Sequence, residues 1–308
     1  MKALFISFVL LFSGFAQAQS LPLNNIVVFG DSLSDNGNLY EYMGHKIPQS
    51  PPYFSGRFSN GPIWVERLVE YYFSTNPNSH LLDYAFGGAG ISDEESDVLM
   101  TLKRELDIYL NAHQGKASEN NLYIVWIGAN NYIGLPSNAE ETVTQVNKGI
   151  VAGLKRLVNA GAKYIMVVNI PDLGKTPIAS DLEARKTLSN FSKRHNAILL
   201  DSVGELQQSY PDVKWMYYDV RSRMNELLES PESYGFTNIV DTCYAAQIDK
   251  SLGNSILHIA ADVKLKANDD ICKGYLFFDP VHPTAPAHSM LAENAKAILD
   301  SEGVQFGE

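Results

Sequence analysis

The sequence predicts an α/β protein, a three-layer sandwich in which helices cover both faces of a central parallel sheet. Two observations favour this class. Short apolar runs alternate along the chain with longer segments whose apolar residues recur at helical spacing. The first run, residues 26–29, holds four consecutive apolar residues, as strands buried on both faces do. Regular strand–helix alternation is typical of parallel sheets, because their crossover connections are helices.

The elements follow in a regular order. We predict strands over residues 26–29, 81–86, 122–127, 164–168 and 213–218, the last of the chain. We predict helices over residues 63–73, 96–112, 139–160, 181–208 and 284–299, with Gly161 as the C-cap of the third. Residues from about 230 to 273 break the alternation. We interpret them as an inserted loop that delivers the segment following it.

The start of the chain predicts export. Residues 1–18 contain one lysine, a short apolar core and small residues at Ala16 and Ala18, which is the pattern of a cleaved secretory signal peptide. An uncleaved N-terminal anchor is the alternative. Residues 19–308 show no repeat or linker, so we expect a single domain. The destination is the periplasm or the extracellular medium.

Charge and composition restrict the partners. The formal net charge of −11 becomes −12 once Lys2 leaves with the signal. Such a surface repels nucleic acids and anionic membranes at long range, so we expect no nucleic-acid partner. A lipid substrate would have to be attracted by apolar contact. Nothing in the sequence calls for a cofactor, and the oligomeric state is not readable from it.

Cys243 and Cys272 are the two cysteines of the chain. An even count in an exported protein favours a disulfide between them, and two free buried thiols are the alternative. A metal site is not expected, because the two cysteines are far apart and lack closely spaced histidine partners.

Ser32 and His282 are candidates for a reacting pair. Ser32 follows the first strand directly, and ligands of open α/β sheets bind beyond the carboxyl ends of strands. A serine hydroxyl needs a base to remove its proton. Asp279 and His282 stand three positions apart in a segment that Pro280 and Pro283 keep from being helical. His282 could accept the proton of Ser32 while Asp279 fixes its tautomer.

Four blocks of sequence now identify a resemblance that spans nearly the whole mature chain. They resemble the GDSL family of serine esterases and lipases, also called SGNH hydrolases. The likeness is greatest to the bacterial secreted phospholipase, lysophospholipase and glycerophospholipid–cholesterol acyltransferase branch. The blocks are Gly30-Asp31-Ser32-Leu33, Asp83-Tyr84-Ala85-Phe86-Gly87-Gly88-Ala89, Ile127-Gly128-Ala129-Asn130-Asn131 and Asp279-Pro280-Val281-His282.

The resemblance implies a Ser32–His282–Asp279 triad. It also implies an oxyanion hole formed by the backbone N–H groups of Ser32 and Gly88 and by the side chain of Asn130. Preorganised donors of this kind stabilise the charge that develops on an ester oxygen. The sequence departs from the family pattern at two positions, with Asp83 where asparagine is usual and Asn131 where aspartate is common.

A long loop rich in proline and aromatic residues follows the nucleophile. Its later part, residues 50–62, resembles the lipase branch of the family. We expect Tyr53, Phe54 and Phe58 to help form an apolar wall for an acyl chain, together with Tyr40, Tyr42 and Met43. The alternative is that these aromatic side chains pack the loop onto the core. Arg57 is expected to pin the loop through a carboxylate.

The resemblance and the loop together imply a carboxylic ester hydrolase acting on lipids. Lysophospholipid or phospholipid is the expected substrate, with a sterol as a conceivable second acceptor of the acyl group and with peripheral contact to a membrane. An acetyl-carbohydrate esterase of the same family is the alternative enzyme, and a secreted binding protein is the alternative without catalysis. His288 is the runner-up for the base. An α/β-hydrolase elbow fits less well, since position 34 is serine and not glycine.

Overall fold

The computed structural model describes residues 22–91, 100–244 and 269–307. The predicted signal peptide and residues 245–268 of the predicted inserted loop lie outside this part of the chain. The strands are β1 Asn25–Gly30, β2 Leu81–Asp83, β3 Asn121–Trp126, β4 Tyr164–Val168, β5 Lys214–Tyr218, β6 Asn238–Thr242 and β7 Tyr275–Phe277. The helices are α1 Asn38–Tyr42, α2 Trp64–Tyr72, α3 Leu102–Ala112, α4 Asn130–Ile133, α5 Ala139–Ala160, α6 Pro177–Asp181, α7 Arg185–Ser209, α8 Val220–Glu229 and α9 Ala285–Ser301.

The main sheet has five parallel strands in the order β2-β1-β3-β4-β5. In the register of the sheet, Val27 of β1 lies beside Leu82 on one side and Tyr123 on the other. The carboxyl ends of β2, β1 and β3 are therefore neighbours. The first three sequence blocks, which follow these strands, meet at one edge.

Both faces of the sheet are covered, as the apolar run in β1 predicts. Val27 and Phe29 pack into a core with apolar residues of α3, α5 and α7. Ile26 and Val28 point the other way, as alternate residues of a strand do, and pack with α2 and α9. The three-layer α/β sandwich is confirmed.

Two predicted helices have different bounds in the structure. Helix α3 begins at Leu102, where the Thr101 side chain accepts the N–H of Arg104 as the N-cap, and residues 96–99 of the predicted helix lie outside the described part of the chain. The helix predicted over residues 181–208 begins at Arg185 as α7, and a short break separates it from α6, which ends at Asp181. The break falls at Glu183, whose φ of 55° lies in the left-handed region and cannot continue a right-handed helix.

The strand predicted over residues 81–86 ends at Asp83. The Asp83 carboxylate accepts the N–H of Ala85 at 2.9 Å, while the N–H groups of Tyr84 and Phe86 still donate to the carbonyls of Val28 and Gly30 in β1. Helix α5 has the predicted bounds, and Gly161 is its C-cap with a φ of 120°.

The region predicted as an inserted loop is partly regular, and β5 is not the last strand of the chain. Helix α8 and strand β6 follow β5, and β6 pairs with β7 in a second, two-stranded parallel sheet. Strand β7 leads directly into the Asp279–His282 turn. In the described ranges, no helix has the length and apolar character needed to cross a membrane.

Candidate active site

Ser32 lies on a tight turn where β1 ends. The carbonyl of Asp31 accepts the N–H groups of Ser34 and Asp35, and the carboxylate of Asp31 accepts that of Leu33. Gly30 is required before this turn, because a Cβ there would lie 2.3 Å from the carbonyl oxygen of Trp126 in β3. Without a side chain at this position, β1 can pack closely against β3 up to its last residue, and the chain can then turn sharply.

His282 and Asp279 lie beside Ser32 in the fold, although His282 is 250 residues away from Ser32 in the sequence. His282 Nε2 lies 2.8 Å from Ser32 Oγ, and His282 Nδ1 lies 2.6 Å from Asp279 Oδ2. Asp279 Oδ1 also accepts the N–H groups of Val281 and His282. The structure therefore brings the three predicted side chains into one hydrogen-bonded chain, with the histidine between the hydroxyl and the carboxylate.

All three side chains are buried, with 2% of Ser32 and none of Asp279 or His282 exposed. Burial by itself would raise the pKa of Asp279. The charge of His282 and the hydrogen bonds from His282 and Tyr53 outweigh it and hold the pKa of Asp279 below its ordinary value. Asp279 is thus an ionised partner for the imidazole ring.

Two of the residues predicted to form the wall for an acyl chain, Tyr53 and Phe58, instead pack against Asp279 and His282. Tyr53 is 1% exposed and its hydroxyl donates to Asp279 Oδ2 at 2.6 Å. The ring of Phe58 is fully buried against that of His282, with 5.0 Å between the centroids. Phe54 is 42% exposed and lies near the guanidinium of Arg57. None of the three lines the cleft that opens at Ser32.

Arg57 fastens the aromatic loop to α2, as predicted. Its guanidinium Nη2 lies 2.6 Å from Glu66 Oε1, and its Nη1 donates to the carbonyl of Ser55. Glu66 also accepts the N–H of Ile63. The loop that supplies Tyr53 and Phe58 is thereby tied to the first turn of α2.

The predicted oxyanion donors are available at the same edge. Among the described residues, the N–H groups of Ser32 and Gly88 have no hydrogen-bond partner. Asn130 lines the cleft with Ser32, and its Nδ2 donates to the carbonyl of Ala89, the residue after Gly88. One hydrogen of that amide is held by Ala89, which fixes the side chain and leaves the second hydrogen free.

The two departures from the family pattern each have a structural reason. Asp83 accepts two N–H groups through separate oxygens, from Asn36 through Oδ2 and from Ala85 through Oδ1, whereas an asparagine would offer one oxygen and an NH2 group in their place. Asn131 accepts the N–H of Ile91 and donates to its carbonyl. An aspartate at 131 could accept but not donate.

Three carboxyl groups, those of Asp31, Asp35 and Glu105, are buried beneath the turn that carries Ser32, and Asp83 is half-buried beside them. Desolvation raises the pKa of Asp31 and of Asp35 to about 6. Desolvation also raises the pKa of Asp83 and of Glu105 well above their ordinary values, with the charge of Asp35 acting in the same direction on both. Asp35 accepts the N–H groups of Gly37, Asn38, Leu39 and Gly87, and so joins the first sequence block to the second.

An apolar cleft begins at Ser32. Its walls come from the segments that follow β3, β4 and β5, and from β7 and the turn after it. They include Ile133, Leu173, Val220, Met224, Phe277 and Val281. The exposed side chain of Lys175 also lines the cleft. This wall was missed in the sequence, where the segments that form it carry no common pattern.

The other buried histidines have separate places. His288, the runner-up for the base, accepts the N–H of Trp64 at 3.3 Å, and burial lowers its pKa to about 3. His195 lies 2.8 Å from the hydroxyl of Tyr132, and burial likewise lowers its pKa to about 3. Neither makes a hydrogen bond to Ser32, which is held by His282.

Cys243 and Cys272 form the predicted disulfide. The bridge lies beside the β7 end of the site, since the N–H groups of Cys243 and Tyr244 donate to the carbonyls of Phe277 and Phe278. No group of three or more potential ligands among the described residues is arranged to hold a metal ion.

Comparison with known families assigns the chain. The model of the GDSL-like lipase/acylhydrolase family matches residues 26–295. The chain belongs to this family. It is 31% identical to a phosphatidylcholine-sterol acyltransferase of Aeromonas hydrophila, over 92% of this chain and 93% of that protein.

Two further matches cover different shares of the matched proteins. A secreted effector protein of Salmonella typhimurium, SseJ, is 30% identical over 88% of this chain but only 62% of its own length. A crystal structure of an acetylxylan esterase from Geobacillus stearothermophilus matches 94% of this chain and 99% of its own, with a TM-score of 0.49 and 11% identity.

Proposed function

We propose that this GDSL-family ester hydrolase cleaves acyl esters of lipids and that lysophospholipid or phospholipid is its substrate. The observation that carries the proposal is the position of Ser32, which is hydrogen-bonded to His282 and lies at the mouth of an apolar cleft. A cleft with apolar walls suits a hydrocarbon chain, because burial of each methylene contributes about 0.8 kcal/mol. An acetyl group is too small to use it.

The mechanism follows from the hydrogen bonds. His282 Nε2 takes the proton of Ser32 Oγ as the oxygen attacks the ester carbonyl, and Asp279 stabilises the imidazolium that forms. The N–H groups of Ser32 and Gly88 and the amide of Asn130 bind the oxyanion. His282 then protonates the departing alcohol. Water, activated by the same histidine, hydrolyses the acyl-serine and restores Ser32.

Lys175 supports a phosphate-bearing substrate. Its exposed side chain lines the cleft and forms no ion pair with a described residue. On a chain of formal charge −11, an unpaired cation at this place favours an anionic group next to the ester. The phosphate of a glycerophospholipid is such a group.

The name of the Aeromonas hydrophila relative adds a second acceptor to the proposal. That protein is a phosphatidylcholine-sterol acyltransferase. In the present chain an alcohol such as a sterol would replace water in attacking the acyl-serine. We further propose that residues 19–308 act as one domain after export to the periplasm or the medium, which the signal-like start of the chain supports. Such an enzyme would meet its substrate at a membrane surface.

The test is product release from four substrates by the exported protein and by Ser32→Ala. The panel contains lysophosphatidylcholine, phosphatidylcholine, a triglyceride and an acetylated xylooligosaccharide. We expect fatty acid from the lysophospholipid, and a rate that falls by several orders of magnitude without the nucleophile. Adding cholesterol to the reaction measures sterol ester directly.

The same panel can contradict the proposal. Serine-dependent release of acetate alone would assign the enzyme to acetyl-carbohydrate esters. Release of no product, together with no labelling of Ser32 by a fluorophosphonate, would favour a binding protein.

A further inference from the structure

Tyr53 contacts Asp279 from the loop after β1 and does not line the cleft. Its hydroxyl donates to Asp279 Oδ2 at 2.6 Å, the same oxygen that lies 2.6 Å from His282 Nδ1. Burial and the charge of Asp279 hold the pKa of Tyr53 well above its ordinary value. The phenol is therefore a permanent donor to the carboxylate.

With Tyr53 included, the carboxylate of Asp279 accepts four hydrogen bonds. Two backbone N–H groups bind Oδ1, whereas the imidazole and the phenol share Oδ2. The side chains of Tyr53, Asp279 and His282 are all buried, so little water competes for the carboxylate. In such surroundings each donor to an ion contributes more than it would at the surface.

The ring of Tyr53 is fixed as firmly as its hydroxyl. It packs edge-on against Phe58 and against Phe278, at centroid distances of 5.9 and 5.0 Å. Phe58 in turn covers the ring of His282. Because Phe278 precedes Asp279 directly, the loop after the nucleophile clamps both the histidine and the carboxylate turn.

We propose that Tyr53 is a positioning residue, which acts through Asp279 on the orientation and basicity of His282. This inference rests on the proposed function of the Ser32–His282–Asp279 group. By donating to Oδ2, the phenol limits how strongly the carboxylate attracts the imidazolium ion. It also holds Asp279 Oδ2 in the orientation in which this oxygen accepts the hydrogen bond from His282 Nδ1. Tyr53 touches no reacting atom.

Tyr53→Phe isolates the hydroxyl, since the ring and its packing remain. We expect kcat to fall by roughly 10-fold with KM unchanged, because Asp279 Oδ2 loses the donor that fixes its direction toward His282 Nδ1. Without the phenol, Asp279 attracts the imidazolium more strongly. The acidic limb of the kcat/KM profile should therefore move to higher pH.

The matched control is Tyr123→Phe. Tyr123 is fully buried in β3, and its hydroxyl bonds the hydroxyl of Tyr109 and the carbonyl of Ser118, away from the site. This variant loses a buried hydroxyl without touching Asp279. We expect a lower melting temperature, wild-type kcat and an unshifted pH profile.

Proton NMR gives a readout that a purely structural role would not change. In Tyr53→Phe the low-field resonance of the proton between His282 Nδ1 and Asp279 should shift, and in Tyr123→Phe it should not. Wild-type kcat and pH profile in Tyr53→Phe would overturn the inference, as would equal losses of kcat in both variants without a shifted profile. Full activity in Ser32→Ala would instead refute the proposed function itself, so the two failures are distinguishable.

Discussion

Glu105 of α3 accepts the N–H of Gly30 through Oε2 at 3.0 Å, two residues before the nucleophile, and its other carboxyl oxygen has no partner among the described residues. A carboxylate buried in this way is costly unless it is protonated. Desolvation accordingly raises the pKa of Glu105 well above the ordinary value of 4.5. Burial thus favours the protonated form of the acid that holds the end of β1 in place.

Glu105→Gln should therefore stabilise the protein at alkaline pH. Below pH 4.5 the side chain is protonated in both the folded and the unfolded wild type, so the pKa shift has no effect. As the pH rises, the unfolded chain releases the proton and the folded one keeps it, which lowers the free energy of unfolding by up to about 1.4 kcal/mol per pH unit. Glutamine keeps the acceptor for Gly30 and never ionises.

Melting temperatures from pH 4 to pH 9 measure this difference. The advantage of Glu105→Gln should grow with pH, whereas the exposed Glu119→Gln should follow the wild type throughout. A constant difference between Glu105→Gln and wild type would show that the acid is ionised in the folded protein.

Asn130→Ala should reduce kcat by about 100- to 1,000-fold with little effect on KM, as the loss of an oxyanion donor does. Asn131→Ala is the comparison, because Asn131 bonds both backbone groups of Ile91 but does not line the cleft. We expect it to lose stability and retain kcat per folded molecule. Steady-state kinetics on one lysophospholipid measures the loss of kcat, and melting curves measure the loss of stability, so the two effects are separated. Similar kcat values would remove Asn130 from the oxyanion hole.

The nucleophile turn and the Asp279–His282 turn were predictable because each depends on residues close together in sequence. Ser32 follows an apolar strand directly, and two prolines limit the conformation around His282. The place of Tyr53 was not predictable in this way. Its partner Asp279 is 226 residues away, and an aromatic residue in a loop has the same local pattern whether it lines a cleft or packs behind a carboxylate.

The errors in secondary structure have a similar origin. Strand β6 is mostly exposed or half-buried, so it lacks the apolar run that marks the strands of the main sheet. The break between α6 and α7 falls at Glu183, where neither glycine nor proline announces the positive φ. In both places contacts made by the folded chain override weak local signals.

Lys175→Glu should weaken the binding of lysophosphatidylcholine several-fold, because an attractive charge near the phosphate becomes a repulsive one. An uncharged ester of the same acyl chain, such as p-nitrophenyl laurate, should be cleaved with unchanged KM. The difference should shrink at high salt, which screens exposed charges. Lys116→Glu alters an exposed lysine that precedes β3 at the opposite end of the sheet, and it serves as the charge control. Equal effects on both esters would exclude a phosphate contact.

Gly87→Ala should impair both folding and catalysis. An added Cβ would lie 2.5 Å from two ring atoms of Phe58 and 2.8 Å from Leu39, so the Phe58 ring that covers His282 must move. Overpacking of this kind costs about 1–3 kcal/mol of stability. Gly204→Ala in α7 meets no atom within 4 Å and should raise stability by up to about 1 kcal/mol. Urea titrations and kcat measured on both variants test the contrast, which an unaffected Gly87→Ala would refute.

Removal of the disulfide should lower stability and, at intermediate temperature, activity. Cys243 and Cys272 are 29 residues apart, and on the chain-entropy model a bridge of that span contributes roughly 3 to 4 kcal/mol. The backbone beside it holds the strand that ends at Asp279, through Cys243 N–H to the Phe277 carbonyl and Tyr244 N–H to that of Phe278. Cys243→Ser with Cys272→Ser should therefore melt earlier than wild type, and wild type treated with reductant should match the double variant. Identical melting curves with and without reductant would show that the bridge does not stabilise the fold.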